Sequence, residues 1–238
     1  MTTLDALRLK GRFRWWAPLR TGRFPSFYDS HSQFGEDMVV RALLGDRPHG
    51  TFVDVGAHHP VYYSNTYYFY RRGWRGLNID ALPNSMDAFR VLRPEDQNVE
   101  ACVAPTSGET VTLYRFEDAA LTTIDPAAAR SHEASGKRLL DARAMTCVTL
   151  GECLDRYLPG RPIDFLSVDV EGLDEAILRS LDWSRVRPHV VVFERHHLSL
   201  DDAARDSLIT YLAGQGYVVE GKCGPSFVLR NIDAPAAC

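Results

Sequence analysis

The chain has 238 residues, 45% of them hydrophobic, enough for one domain of ordinary size with a full core. A net charge of −4 excludes the strongly basic surface that nucleic-acid binding usually shows. The five cysteines form no C-x-x-C pair, no apolar run has the length of a membrane span, and the basic N-terminus lacks a signal peptide's apolar core, so a cytoplasmic protein is expected.

Residues 1–30 stand apart. Arg8, Lys10, Arg12, Arg14, Arg20 and Arg23 interleave with Phe13, Trp15, Trp16, Phe24, Phe27 and Tyr28. This basic, aromatic arm is expected to pack over the domain, to cover an acceptor site, or to touch an anionic membrane face as a peripheral contact. Residues 31–238 then read as a single domain. Near Asp37 a short helix begins, buries Met38, Val39, Ala42 and Leu43, and ends at Gly45. Thr51–Ala57 is the first strand, Ser64–Arg72 an aromatic-faced helix stopped by Gly73, and Gly76–Ala81 the second strand. A helix over Asn84–Leu92, a third strand over Asn98–Ala104 and an extra strand over Thr110–Phe116 follow.

Residues 117–145 are polar and alanine-rich, and their length predicts either a substrate loop or an insertion without function. Thr149 caps a helix to Tyr157, with Glu152 placed for a capping box. Ile163–Asp169 is a strand, Leu173–Leu181 a helix, His189–Glu194 a strand buried on both faces, and Asp201–Gln215 a helix. Tyr217–Lys222 and Ser226–Arg230 flank a Gly224-Pro225 turn and read as an antiparallel hairpin. Strand–helix alternation closed by a hairpin is an α/β layered sheet.

In such sheets ligands bind beyond the carboxyl ends of the strands. The polar groups there are Asp54 and Gly56, Asp80, the Cys102–Val103 pair, Asp169 and Glu171, and Glu194 with His196 and His197. Gly56 lets backbone approach a ligand, and Asp80 can accept from two ribose hydroxyls. Two observations choose the ligand. The second and third glycines of G-x-G-x-x-G are replaced by His58 and Val61, and a carboxylate at Asp54 would repel a pyrophosphate. The ammonium and sulfonium of S-adenosylmethionine would instead be attracted. Cys102 and Val103 could flank adenine. Asp169 and Glu171 lie two residues apart and can orient an acceptor hydroxyl, with Glu194 or His196 as the base that takes its proton. His58, His59, Tyr62 and His197 are candidates for binding donor or acceptor. A cation held by Asp169, Glu171 and a histidine is conceivable, but the spacing does not select one, and no metal is expected.

The segments SQFGED, FVDVGAHHPVYYSNTYYFYRRGWRGLNIDALP, IDFLSVDVEGLDEAIL and VVVFERH resemble the FkbM-type methyltransferases, from about Ser32 to His197. The resemblance implies a class I methyltransferase fold, Rossmann-like, with a mostly parallel seven-stranded sheet, a C-terminal antiparallel hairpin and here an N-terminal extension. It implies S-adenosylmethionine as cofactor and transfer to oxygen, with a sugar-containing acceptor, lipid-linked or free, in a glycolipid, polysaccharide or glycosylated natural product. By matching motif, Asp54, Gly56, Ala57, Asp80 and Asp169 would be donor-site residues, and Ala81, next to Asp80, is a further donor-site candidate. Ser32, Gln33, Glu36 and Asp37 would close over the donor, and Ser64 and Asn65 would open a helix near the methionine carboxylate. The residues alone leave two rivals, a nicotinamide-dependent oxidoreductase on a similar sheet and a non-catalytic methyltransferase-like scaffold. An oligomer is possible, with the arm and hairpin as surfaces.

Overall fold

The computed structural model describes residues 29–118, 121–170 and 172–234, so the expectations for the N-terminal arm and for Glu171 lie outside the described residues. From His31 on, these residues form one unit. A seven-stranded sheet runs in the order β3-β2-β1-β7-β8-β10-β9. Its parallel part comprises β1 (Thr51–Val55), β2 (Arg75–Asp80), β3 (Gln97–Glu100), β7 (Phe165–Val168) and β8 (Val190–Glu194). The hairpin β9 (Tyr217–Cys223) and β10 (Ser226–Asn231) completes it, with β10 antiparallel to β8. The chain grows outward from β1 to β3, then returns to β7 on β1's other side. That reversal puts the topological switch point between β1 and β7, where a crevice opens at the strand tips.

Strand alternation decides which side chains meet which layer. Val53, Val55, Leu77, Ile79, Leu166 and Val168 enter one core, packed by α5 (Leu150–Tyr157), α6 (Asp174–Ser180) and α7 (Ser207–Gly214). Phe52, Phe165, Val190 and Val192 enter the other with Phe69, Trp74 and Val40 and Leu44 of α1 (Glu36–Leu44). Gly76 of β2 is required by this second core, because a Cβ there would lie 2.1 Å from the Phe52 carbonyl oxygen.

Several elements differ from the sequence expectation. The helix expected over Ser64–Arg72 is one turn, α2 (Tyr67–Tyr70). Ser64 Oγ accepts from Tyr67 N, which delays the start, and Gly73 takes a positive φ of 96° at the end. The third strand divides at Ala101. Its second part, β4 (Cys102–Val103), leaves the main sheet and pairs with β6 (Leu139–Val148), which pairs with β5 (Thr110–Phe116) in a separate three-stranded sheet. Most of 117–145 is therefore not a loop. Besides β6 it contains α4 (Pro126–Ala134), begun by Asp125, whose carboxylate accepts from Ala127 N and Ala128 N, and by Pro126 in the first turn. The helix expected from Asp201 starts at Ser207, where Asp206 is the cap, after a 3₁₀ turn at Ala203–Arg205. The capping box of Thr149 and Glu152 is present. α3 (Met86–Leu92) follows β2.

Candidate active site

A cavity of about 590 Å³ lies at the tips of β1, β2, β4, β7 and β8. Gly56 forms its floor with φ 80°, and Gly56 N and Ala57 N both donate to the Ile79 carbonyl, at 2.9 and 3.0 Å. Asp169 N donates to Val55 O at 2.9 Å, and a Cβ on Gly56 would stand 1.7 Å from the Asp169 carbonyl oxygen. Only glycine lets β1 and β7 close to this separation. Asp80 stands at the tip of β2. Its Oδ2 accepts from His58 N at 2.9 Å and its Oδ1 from Leu82 N at 2.7 Å. Each oxygen keeps a further acceptor position for a ligand hydroxyl. Burial raises the Asp80 pKa, against the pull of the two backbone N–H groups. His58 is held at φ 52° and Tyr63, also on the wall, at φ 55°. Such backbone strain is retained where surrounding structure enforces it, and it concentrates at ligand sites.

Ala81, Cys102 and Val103 make an apolar wall beyond Asp80. The Cys102 sulfur lies 3.7 Å from that of Cys147 on β6, and burial together with that second thiol pushes its pKa up to about 12. It is an uncharged wall group. At the opposite end stand Asp169, Glu194 and His196, with His196 Nε2 3.0 Å from Glu194 Oε2. The loop carrying His196 is anchored by Arg195. Its backbone N donates to Pro225 O, and its guanidinium pairs with Glu175 of α6 and lies 3.3 Å from Asp206 Oδ2. Burial opposes ionisation of Glu175, but the Ser207 hydroxyl, Arg179 and Arg195 outweigh it and bring its pKa down to about 2.

Gln33, Gly56, His58, Asp80, Ala81, Cys102, Val103, Asp169, Glu194 and His196 thus share one cavity. The other candidates among the described residues are placed elsewhere. Asp54 points to the Phe52 face of β1, where the Thr66 hydroxyl donates to it at 2.7 Å, and burial raises its pKa against that hydrogen bond. Ala57 packs on Met86 and Phe89. Ser64 is buried behind α2, and Asn65 donates its amide to Ser167 Oγ at 3.0 Å. Glu36 is buried, accepting from Phe34 N and from Ser226 Oγ, both at 2.9 Å. With Asp37, which accepts from Ser32 Oγ and His31 N, it holds the turn that presents Gln33 and Phe34 to the cavity. The His59 ring accepts from Val61 N and Tyr62 N, Tyr62 is exposed, and His197 is exposed beside His196 with φ 63°. Among the described residues no group of three His, Cys, Asp or Glu side chains could hold a metal.

The cavity also uses residues the sequence reading did not single out. Phe34 comes from the N-terminal side, Asp118 and Ile124 from the segment after β5, and Pro225 from the hairpin turn. Phe34 packs so closely over that turn that a Cβ on Gly224 would meet its ring at 2.6 Å. No periodicity reveals a wall assembled from loops so far apart in the chain. Chemically, the cavity offers a carboxylate suited to a diol, an apolar slot beyond it, and a carboxylate–imidazole pair at the other end.

The family model of the methyltransferase FkbM domain matches residues 54–219. No curated protein matches the chain. Similar solved structures include precorrin-6y C5,15-methyltransferase from Geobacter metallireducens, with 14% identity, 83% of this chain and 86% of that chain covered, and a TM-score of 0.43. A methyltransferase from Geobacter sulfurreducens has 12% identity over 97% and 96% of the two chains, with a TM-score of 0.41. A TehB-like SAM-dependent methyltransferase from Corynebacterium glutamicum has 13% identity over 95% and 99%, with a TM-score of 0.40. Among the described residues no helix is long and apolar enough to cross a membrane.

Proposed function

The chain belongs to the FkbM methyltransferase family and uses S-adenosylmethionine as methyl donor, and from that premise we propose that it methylates a hydroxyl of a sugar moiety in a glycolipid, polysaccharide or glycosylated natural product. The residues fit the donor. Asp80 has acceptor positions left for the ribose hydroxyls, and the Ala81–Cys102–Val103 wall offers an apolar slot to the adenine. Gly56 leaves room for close backbone approach to the methionine part. Asp169, rather than the inward-turned Asp54, is the carboxylate within reach of its ammonium.

When bound, the donor supplies a methyl group on a sulfonium, open to in-line displacement. The protein's part is to align the acceptor and remove its proton. The observation that carries the O-methyl reading is the His196–Glu194 pair, 3.0 Å apart on the cavity wall. The imidazole takes the hydroxyl proton as the new carbon–oxygen bond forms, and Glu194 holds the ring and stabilises the imidazolium. A base of this kind accelerates transfer by roughly 10²–10⁴, and alignment contributes up to about 7–11 kcal/mol. Two half-exposed rings at the rim, Phe34 and Tyr63, offer faces on which a sugar can stack.

The test is incubation of the purified protein with methyl-labelled donor and a lipid and polysaccharide extract, followed by mass analysis of whatever gains the label. Label in a methyl ether of a sugar supports the reading. Label on nitrogen, carbon or a non-sugar hydroxyl overturns it.

A further inference from the structure

The loop between β1 and α2 holds two residues other than glycine in the left-handed region, His58 at φ 52° and Tyr63 at φ 55°. Histidine is among the side chains that tolerate that region, and the conformation of His58 aims its backbone N–H at Asp80. A side chain as bulky as tyrosine does not tolerate it, and holds it at a cost in stability. The surroundings impose the conformation. On one side the His59 ring accepts from Val61 N and Tyr62 N, and on the other Ser64 N donates to His31 O at 2.9 Å. Glycine or asparagine would suit this backbone without strain. No partner of the ring offsets the cost. Tyr63 is 63% exposed, and among the described residues it has no hydrogen bond, ring contact or cation partner, although it lines the cavity. Phe34, the other ring at the rim, differs, because it packs over Gly224 of the hairpin turn. An exposed ring, held in a strained backbone at the mouth of a cavity, points to a ligand.

We propose that Tyr63 determines acceptor specificity, its ring stacking on the C–H face of the sugar whose hydroxyl is methylated. The assignment rests on the sugar reading above and deepens it, since it selects ring sugars that gather C–H bonds on one face. A loop fixed before the sugar arrives has little left to order on binding, so the strain held in the free protein serves to orient the acceptor.

The full chain and its variants Tyr63→Ala, Tyr63→Gly, Tyr63→Phe and Tyr63→Trp test it. Each is assayed with methyl-labelled donor over a dilution series of the lipid and polysaccharide extract, titrated with S-adenosylhomocysteine, and unfolded in urea. Ala and Gly both remove the ring, but only Gly relieves the backbone. Both lower sugar labelling about fivefold to tenfold in dilute extract and recover as the extract is concentrated, while S-adenosylhomocysteine binds as it does to the wild type. Phe and Trp, which keep a ring, restore the labelling. In urea the midpoint of Tyr63→Gly lies about 0.3–0.5 M above that of Tyr63→Ala. Labelling thus follows the ring and stability follows the backbone, a separation that a purely structural role does not produce. Wild-type labelling of sugar by the Ala and Gly variants, a matching loss of S-adenosylhomocysteine affinity, or equal midpoints for the two variants overturns the proposal. A wild-type chain that labels only material without sugar would instead defeat the sugar reading itself.

Discussion

Two polar clusters sit on the same strands, two residues apart, with opposite fates. β1 contributes Asp54 to one and Gly56 to the other, and β2 contributes Asn78 to one and Asp80 to the other. The first cluster is closed. Asp54, Thr66, Asn78, Arg93 and Asp96 are all buried. Arg93 Nε donates to Asp96 Oδ2 at 2.8 Å, its Nη1 to Thr66 Oγ1 at 3.0 Å, and its plane lies 5.0–5.4 Å from the Phe52, Tyr70 and Phe89 ring centroids. The second cluster faces the cavity, where Asp80 accepts from the backbone N–H groups of His58 and Leu82. An acid near a strand tip is therefore not a ligand group by position alone. How far along the strand it stands, and what already bonds to it, decide.

The comparison is broken most severely at Arg93. Arg93→Met leaves Asp54 and Asp96 buried beside an apolar chain, and the unfolding free energy in urea falls by about 3–5 kcal/mol. The affinity of the folded protein for S-adenosylhomocysteine stays the same. A loss below about 1 kcal/mol would mean that the closed cluster does not hold this face together. The mirror experiment is His196→Ala. Turnover falls at least about a hundredfold, while stability and S-adenosylhomocysteine affinity do not move, because the ring is mostly exposed and touches no core. Full turnover in that variant would place the base elsewhere.

That division also marks how far the sequence could be read. The order of strands and helices was legible because buried runs such as Val190–Phe193 and caps such as Thr149 act locally. The separate sheet was not, because β4 is two residues long and its partner β6 lies more than forty residues away. At the site, Gly56 and Asp80 stand out, since a glycine after an apolar strand and an acid at the next tip have few other uses. Asp54 misled. Its charge was the ground for choosing a cationic ligand over a pyrophosphate, yet the alternation set by Phe52 and Val53 sends it to the face opposite Val55, under Thr66. Asp80 has the same parity, so what hides Asp54 is Thr66 lying over it short of the strand tip, and not the strand's period of two. Glu36 is hidden as well, because its partner Ser226 is 190 residues distant and invisible to any local pattern.

Asp174 lies between the two behaviours and sharpens the contrast by pH. It is buried, and Glu194 N donates to it at 3.4 Å, so it supports the strand that carries a cavity carboxylate. Burial pushes its pKa up to about 6, against the backbone N–H groups around it. A raised carboxyl takes up a proton in the folded state before the unfolded chain does. Its contribution to stability therefore improves as pH falls from above 6 toward the ordinary carboxylate value, on the order of 2 kcal/mol. Glu175, held near 2, acts oppositely and loses its contribution only below the ordinary range. Urea denaturation of wild type and Asp174→Asn between pH 4.5 and 7.5 isolates the first effect. The variant lacks the increment, and parallel curves for the two proteins would show that Asp174 does not titrate in this window.

The finest test compares two acids directly. Asp80→Asn keeps the shape of the tip but offers one carbonyl oxygen where two carboxylate oxygens now serve His58 N, Leu82 N and the ligand. S-adenosylhomocysteine binding weakens about tenfold, the worth of a hydrogen bond to a charged group. Because burial raises the Asp80 pKa, wild-type affinity begins to decline on acidification at a pH above that of an ordinary carboxylate, and the Asn variant lacks that decline. Asp54→Asn keeps an oxygen for the Thr66 hydroxyl and lies outside the cavity, so affinity changes less than about twofold at any of these pH values. If Asp54→Asn lost as much affinity as Asp80→Asn, the closed cluster would be part of the donor site after all, and distance from the strand tip would not be what separates the two acids.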